Sequence, residues 1–169
     1  MDKKNKNLYY LNELSDYTVE DGYSDVRGWE VKDKDHRVIG KVDSLLVNKN
    51  SERVVYLDVE VEKSIIEANH KPYGSAANKD DVHEFLNDDG ENHLIIPIGL
   101  ARLNEDDKVV YSDKINHQTF AETKRVKPNT PIDRTYENNV LRSYNREHKE
   151  KYPEDDSLYE RGEFTPRNE

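Results

Sequence analysis

Apolar and charged side chains alternate along residues 53–62, RVVYLDVEVE, and this alternation restricts the fold more than any other feature of the chain. Successive side chains of a strand point to opposite sides of a sheet, so every second residue shares a face. The apolar positions on one face are Val55, Leu57, Val59 and Val61. Asp58 and Glu60 occupy the other face, which is the pattern of an antiparallel strand with one buried and one solvated side. We therefore expect Asp58 and Glu60 to face solvent.

Similar strand patterns precede and follow this segment, with polar turns between them. Residues 38–48, VIGKVDSLLVN, form a long run in which Gly40 indicates a bulge or a close backbone approach. The run HLIIPIGLARLN at residues 93–104 contains Pro97, which cannot donate to a ladder and belongs at an edge, a bulge or a barrel corner. Together with shorter strand patterns on either side, these segments predict a mainly β fold, a small antiparallel barrel of five to six strands.

A helix is expected after the strands. Thr130 fits the N-cap, Pro131 the first helical position and Asp133 the position three residues after the cap. An apolar stripe with a spacing of four residues follows, formed by Ile132, Tyr136, Val140 and Tyr144. We assign this C-terminal helix to residues 128–146.

Composition divides the chain into further parts. With 33% hydrophobic and 37% charged residues, the whole length is not expected to pack. Residues 1–24 are expected to form an N-terminal arm, whose apolar positions indicate a short helix or a segment lying on the core. Residues 25–127 are assigned to the barrel domain, interrupted by a polar insert at residues 63–92 that is long for a loop. Residues 147–169 are acidic and contain two prolines, a composition that predicts a disordered tail.

Charge and cysteine content exclude several function classes. The net charge is −10, and an acidic exterior repels phosphate backbones, so direct nucleic-acid binding is not expected. One basic cluster, Lys124, Arg125 and Lys127, is too small to change this and is expected to be a solvated linker. The chain has no cysteine, which excludes disulfides, thiol catalysis and zinc–thiolate sites. It shows neither a signal peptide nor an apolar run of the ~20 residues that span a bilayer, so we expect a soluble cytoplasmic protein.

Four short motifs occur in a characteristic order and spacing: RGWEV at residues 27–31, VIGKVDSLLV at 38–47, YLDV at 56–59 and LIIPIG at 94–99. With these motifs the chain resembles the PRC-barrel domain family over residues 8–144. That family includes the cytoplasmic domain of the photosynthetic reaction-centre H subunit, and residues 117–137 are similar to the segment that follows the barrel in that branch. His36 stands where the family often has a turn glycine, the insert is longer than usual, and no membrane anchor is found.

The resemblance implies a compact, largely antiparallel barrel used as a docking or assembly module, with no catalytic residues and no cofactor. We therefore expect a non-enzymatic adaptor that binds a protein partner or a second copy of itself as a homodimer. Two alternatives stay open. One is an accessory factor in ribosome or RNA maturation that docks through protein contacts, as in the maturation-factor branch of the family. The other is a metal-dependent enzyme that uses the insert.

Histidines and acids crowd the insert and its exit, namely His70, His83, Glu84, Asp88, Asp89, Glu91 and His93. A metal site requires several donors that converge on one point, and the residue order of an EF-hand is absent. A solvated acidic loop explains these residues, so we assign no metal ligand. Asp58 and Glu60 have the spacing of paired carboxylates, but exposure on a strand explains them. No catalytic serine motif or phosphate-binding loop appears, and no catalytic residue is assigned.

Tyrosine is abundant, with 11 copies. An apolar ring with a polar tip suits interfaces, so tyrosines form the candidate interaction surface. The residues assigned to it are Tyr9, Tyr10, Tyr17, Tyr73, Tyr136 and Tyr144. The alternative is that these rings complete a small core that has few Leu and Phe residues.

Overall fold

The structure is a computed structural model that describes residues 8–11, 26–48, 53–67, 90–128, 130–145, 152–153, 156–164 and 167–168. Tyr17, Tyr73 and most of the insert lie outside these ranges. The strands are β1 (Leu8–Tyr10), β2 (Glu30–Lys32), β3 (Val38–Asn48), β4 (Arg53–Val61), β5 (His93–Pro97), β6 (Arg102–Asn104), β7 (Val109–Tyr111) and β8 (Arg167–Asn168). The α-helices are α1 (Lys63–Glu67), α2 (His117–Ala121) and α3 (Arg134–Tyr144), and 3-10 turns cover Ile98–Leu100, Asp156–Glu160 and Gly162–Phe164.

The strands form one sheet in the order β5-β4-β3-β2-β7-β6-β8, and β1 pairs with the C-terminal end of β3. The prediction of a mainly β fold is confirmed. The sheet has eight strands instead of five or six, and the pairs β2–β7 and β6–β8 are parallel rather than antiparallel. Within the described residues no pairing joins β5 to β8, so the sheet is not closed into a barrel by hydrogen bonds. Alternation identifies a strand and its buried face, but it does not determine which strands become neighbours.

One side of the sheet packs on a hydrophobic core, here called the inner core. Its large members include Ile39, Leu57, Ile65, Leu94 and Phe120, which join three long strands to α1 and α2. Val59 and Val61 face the same core as Leu57, as the alternation predicts. Each such side chain stabilises the fold by about 1.5–3 kcal/mol when it is fully buried.

A bulge in β4 moves Val55 to the opposite side of the sheet. Val54 and Tyr56 have successive register partners on β3, which leaves Val55 without one. An extra residue reverses the alternation at that point, because each side chain beyond it changes face. Val55 therefore packs beside Tyr56, and the prediction that it shares the face of Leu57 is wrong.

Gly40 lies where the backbones of β3 and β4 come very close together. A Cβ atom at this position would lie deep inside van der Waals contact distance of the Glu60 carbonyl oxygen. The prediction of a close backbone approach at Gly40 is therefore confirmed, because any side chain here would push the two strands apart.

The other side of β3, β4 and β5 packs on a second hydrophobic core, here called the outer core. Its members from the strands are Leu8, Tyr10, Leu46, Val55, Tyr56 and Ile95. Helix α3 and the residue before its cap contribute Ile132, Tyr136, Val140 and Leu141. The apolar stripe predicted for the C-terminal helix is thus buried against the sheet.

C-terminal residues complete the outer core. Tyr152, Leu158, Tyr159 and Phe164 are each no more than 2% exposed. The rings of Tyr56 and Phe164 meet edge to face, with 5.2 Å between their centroids. The expectation of a disordered tail is therefore wrong for these residues. Four large side chains supply enough apolar area to order the segment, although its overall composition is acidic.

Helix α3 begins later than its sequence signals suggest. Its N-cap is Asp133, whose side chain accepts a hydrogen bond from the Tyr136 N–H at 2.8 Å. Thr130 instead donates its hydroxyl to the Lys127 carbonyl oxygen at 2.7 Å, in the turn before the helix. The helix is confirmed, but the assignment of Thr130 as its cap is wrong, because Asp133, a residue type preferred over Thr at this position, makes the capping hydrogen bond.

Strand β5 ends the sheet, and groups of the same chain occupy its outer edge. His93 and Val126 exchange two backbone hydrogen bonds of 2.9 Å each. The Tyr144 hydroxyl donates to the Ile95 carbonyl oxygen at 2.8 Å. Pro97, the last residue of the strand, has no N–H to donate. Its predicted place at an edge is confirmed.

Most of the described part of the N-terminal arm is a strand, Leu8–Tyr10. Leu8–Tyr10 pairs with the end of β3, and Leu8 and Tyr10 enter the outer core while Leu11 enters the inner core. Of the two arrangements expected for the arm, a segment lying on the core is therefore confirmed for these residues. The helical alternative is wrong there.

Candidate functional site

Three ionisable side chains meet on adjacent strands at one end of the outer core. Asp43 of β3, Asp58 of β4 and His93 of β5 each offer one ligand-type atom, and these atoms lie within 4.8 Å of one another. We call this group the Asp–Asp–His cluster. It is the one group of three or more such side chains that converges within the described residues.

A bulge in β3 brings Asp43 to the cluster. Val42 and Ser44 pair with successive residues of β4, so Asp43 between them has no register partner. Bulges bend a strand and redirect the side chains next to them. The Asp43 side chain is 54% exposed, and its Oδ2 atom lies 3.0 Å from Nε2 of His93. Asp43 therefore forms the solvent side of the cluster.

Asp58 is buried, contrary to the expectation that it faces solvent. It is 2% exposed, whereas Glu60, two residues farther along, is exposed as predicted. Within the described residues the Oδ1 atom of Asp58 has no hydrogen-bond partner. Burial raises the pKa of Asp58 to about 6; the His93 ring opposes this change, and the carboxylates of Asp43 and Glu60 add to it.

His93 is also 2% exposed, and both of its ring nitrogens face oxygen atoms. Nδ1 lies 2.9 Å from Oδ1 of Asn92, and Nε2 lies 3.0 Å from Oδ2 of Asp43. The cluster thus surrounds one imidazole with two carboxylates, a donor set that can hold a proton or a metal cation.

Of the histidines and acids considered from the sequence, His93 belongs to the cluster. Glu91 instead pairs with Lys124 at 2.5 Å, and His70, His83, Glu84, Asp88 and Asp89 lie outside the described residues. Sequence reasoning passed over Asp43 entirely. The available signal was one ionisable residue within or beside each of three apolar runs, VDSLLV, YLDV and HLIIP. If these runs are neighbouring strands of a sheet that is buried on both faces, the three ionisable residues come close together.

A second group of buried polar side chains joins α3 to the C-terminal residues. Glu137 is 1% exposed, and its Oε1 atom accepts hydrogen bonds from the hydroxyls of Tyr159 at 2.6 Å and Tyr56 at 2.9 Å. Arg134 donates to Oε2 of Glu137 at 3.1 Å and to the Pro153 carbonyl oxygen at 2.9 Å. Burial raises the pKa of Glu137, while these hydrogen bonds and the Arg134 charge oppose that change. The network fastens the C-terminal residues to the sheet.

The candidate tyrosines occupy different environments. Tyr10 is 4% exposed and Tyr136 9% exposed, and each hydroxyl donates to a backbone carbonyl oxygen at 2.6 Å. Both rings therefore complete the core, which is the alternative that the sequence left open. Tyr9 and Tyr144 are half-buried, and a contact of either ring with a partner stays a prediction.

Two residues of the basic cluster are drawn against the sheet. Arg125 is 6% exposed, and its Nε donates to the Glu91 carbonyl oxygen at 2.7 Å. Lys124 pairs with the Glu91 side chain, and Lys127 is exposed. The expectation of a solvated linker is therefore wrong for Arg125 and Lys124, which hold the exit of the insert in place.

A patch of cationic and aromatic side chains lies on the opposite half of the sheet. Lys32, Tyr111 and Arg102 are register partners on β2, β7 and β6, so their side chains point to the same face, away from the inner core. The Arg102 guanidinium lies 4.6 Å from the centre of the Tyr111 ring, and the His36 ring lies 5.0 Å from it. All four side chains are half-buried or exposed. We call them the Tyr111 patch.

The family profile of the PRC-barrel domain matches residues 18–116, which is more than half of the chain. The chain belongs to the PRC-barrel domain family. The predicted family is thus confirmed, and the matched region contains strands β2 to β7 together with the Asp–Asp–His cluster. No curated protein sequence matches the chain. Among the described residues, no helix has both the length and the apolar character needed to cross a membrane.

Proposed function

We propose that this PRC-barrel protein is a non-catalytic interaction module of the cytoplasm that binds a protein partner or a second copy of itself. Membership of the family carries the proposal, because PRC-barrel domains are generally non-catalytic. A fold shared by many proteins does not identify a task by itself, so the surface of this chain has to supply the contact.

The use of buried charges supports an interaction module. The Asp33 carboxylate accepts hydrogen bonds from the backbone N–H groups of Asp35, Arg37 and His117 at 2.7–2.9 Å. The Glu137 and Arg125 side chains likewise bond to other parts of the fold. Charged groups engaged in this way stabilise turns and segment ends, because each satisfies donors or acceptors that burial would otherwise leave unpaired.

The Tyr111 patch is the surface that best fits a partner. Tyrosine and arginine are enriched among the residues that carry most of the binding energy at protein interfaces. Lys32 and Arg102 are the basic members of this patch, in a chain whose net charge is −10, and Asp113 already pairs with Arg102 at 2.7 Å. A partner surface of acidic and aromatic groups complements it, and acidic segments of a second copy satisfy the same requirement.

The experiment combines size-exclusion chromatography with light scattering and affinity capture from a lysate of the source cells, using the full chain. Tyr111→Ala removes the centre of the patch. Ile66→Ser is the matched control, since Ile66 is 41% exposed on α1 and is not a member of the patch. We expect self-association or the retained protein to be lost with Tyr111→Ala and kept with Ile66→Ser.

A chain that stays monomeric at every concentration and retains no protein in the capture would contradict the proposal. Equal retention by the wild type and by Tyr111→Ala would exclude the patch as the contact surface. Co-sedimentation with ribosomal particles tests the maturation-factor alternative on the same preparation. If that association appears and survives Tyr111→Ala, the contact lies elsewhere on the chain.

A further inference from the structure

We propose that Asp43, Asp58 and His93 bind one divalent transition-metal cation, for which Zn²⁺ is the best fit. The three side chains come from three neighbouring strands, so one cation would join β3, β4 and β5 at the end of the outer core. This site is separate from the Tyr111 patch, and it does not depend on the proposed function.

The unpartnered oxygen of Asp58 is the first observation that points to a cation. Asp58 is 2% exposed, and its Oδ1 atom has no hydrogen-bond partner among the described residues. Buried polar atoms are nearly always satisfied, and a buried carboxylate is costly unless it is paired or bound to a metal. The Asp58 carboxylate presents an oxygen within 4.8 Å of the ligand atoms of Asp43 and His93, so a cation between them would neutralise this buried carboxylate.

The spacing of the donors is the second observation. In a tetrahedral site with bonds of about 2.1 Å, the ligand atoms lie about 3.4 Å apart. The Nε2 atom of His93 and the Oδ2 atom of Asp43 are 3.0 Å apart, and no pair in the cluster exceeds 4.8 Å. Asp43 has a half-exposed side chain on a bulge, so rotation about its side-chain bonds can close the remaining distance.

Asn92 provides the third observation, because it orients the imidazole. Histidine ligands usually donate their second ring N–H to a carbonyl or carboxylate oxygen, which fixes the nitrogen that faces the metal. Nδ1 of His93 lies 2.9 Å from Oδ1 of Asn92, which directs Nε2 toward the two carboxylates. A cation bound there would take a ring nitrogen of His93 and a carboxylate oxygen of Asp43 as ligands.

The donor set selects the class of cation. One imidazole nitrogen and two carboxylate oxygens, without thiolate, suit Zn²⁺ and its first-row neighbours. Ca²⁺ takes six to eight oxygen ligands, more than this cluster supplies. Because Asp43 opens to solvent, water completes the coordination. We assign this cation a role in holding the strands together, with no reaction step.

Isothermal titration of the full, chelator-treated chain with Zn²⁺ tests the proposal, with Ca²⁺ as the comparison cation. We expect one equivalent of Zn²⁺ to bind and to raise the melting temperature. Asp43→Asn, Asp58→Asn and His93→Gln should each weaken binding at least about tenfold. Asp43→Asn changes a solvent-facing side chain, so its effect does not depend on whether a core variant folds.

Matched controls distinguish this site from the other histidines and acids. Glu60→Gln removes an exposed carboxylate from the same strand, and His70→Gln/His83→Gln removes two histidines of the insert. Both should leave Zn²⁺ affinity unchanged. The Co²⁺-loaded chain provides a second readout, because loss of its visible absorption bands in His93→Gln assigns the nitrogen ligand. Absence of saturable binding, or equal binding by all three cluster variants, would overturn the proposal.

Discussion

The inner and outer cores lie on opposite faces of the same sheet and are built in different ways. The inner core consists of hydrophobic residues drawn almost entirely from the region that matches the family. The outer core recruits β1, helix α3 and the C-terminal residues, most of which lie outside that region. The strands and the helix of the outer core also contain three buried ionisable side chains, Asp58, His93 and Glu137. The region that matches the family thus supplies one packed face, and segments outside that region bury most of the other.

The difference shows how a mostly polar segment becomes part of a fold. A sheet whose second face carries Leu46, Tyr56 and Ile95 leaves apolar area exposed until another segment covers it. Four large side chains of the C-terminal residues are sufficient, because burial is gained residue by residue and not by average composition. Polar groups that enter with such a segment must be paired, as the Glu137 network shows.

Matched phenylalanines provide the strongest test of this comparison. Phe120 lies in the inner core and Phe164 in the outer core, and both are 0% exposed. Phe→Ala in a core costs about 3–5 kcal/mol through lost transfer free energy and the remaining cavity. We expect Phe120→Ala and Phe164→Ala to lower the free energy of unfolding by similar amounts in urea titrations. Ile66→Ala, on the surface, should change it by less than about 0.5 kcal/mol.

If Phe164→Ala behaves like the surface control while Phe120→Ala is strongly destabilised, the C-terminal residues do not form a core. Only the inner core would then stabilise the fold, and the C-terminal residues would contribute little to the free energy of unfolding.

The pH dependence of stability tests the charged character of the outer core. The pKa of Asp58 in the folded chain is about 6, above its ordinary value of 3.8. The folded state therefore binds the extra proton, and stability falls as the pH rises through this window. The difference between these two pKa values corresponds to a loss of about 3 kcal/mol in the free energy of unfolding. In chelator-treated protein, Asp58→Asn should remove this loss and exceed the wild type in stability at pH 8.

Glu60→Gln is the control for that measurement, because Glu60 is exposed on the same strand. It should retain most of the decline between pH 4 and pH 6 seen in the wild type, because Glu60 makes the smallest contribution to the raised pKa of Asp58. A wild-type curve that rises with pH in this range would mean that Asp58 is stabilised as a carboxylate, and the assignment of a costly buried charge would be wrong.

A smaller effect is expected from the network that fastens the C-terminal residues. Tyr159→Phe removes the hydroxyl that donates to Glu137 at 2.6 Å and keeps the ring. Hydrogen bonds to charged groups contribute about 1.5–3 kcal/mol, so we expect a loss near 2 kcal/mol in chemical unfolding. Tyr111→Phe, at a half-buried ring outside both cores, should change stability by less than about 0.5 kcal/mol. If Tyr159→Phe and Tyr111→Phe lower the free energy of unfolding by equally small amounts, the hydrogen bond to Glu137 does not contribute to stability.

Much of the inner face follows from the sequence. Alternation in β4 identifies Leu57, Val59 and Val61 as core residues. Gly40 predicts a close backbone approach, and Pro97 predicts a strand edge. These signals are local, so they do not depend on which strands become neighbours. Pairing of β2 with β7, in contrast, joins residues about eighty positions apart, and no local pattern specifies it.

The outer face and the Asp–Asp–His cluster were harder to predict for a related reason. Asp58 looks solvent-facing when β4 is considered alone, and only the cover supplied by distant segments makes it buried. Asp43 joins the cluster through a bulge, which shifts faces by one residue without a distinctive sequence. The runs SLLV, VVYL and LIIP, apolar at consecutive positions, were the signal that both faces of this sheet are covered.

The blocked edge of β5 limits the ways in which other molecules can bind at this end of the sheet. Exposed strand edges can form backbone hydrogen bonds with other chains, which leads to aggregation. Many proteins prevent this by blocking their strand edges. Val126, the Tyr144 hydroxyl and the imide nitrogen of Pro97 together close that route at β5. Association at this end of the sheet must therefore proceed through side chains, so a contact there is limited to a partner of matching shape and charge.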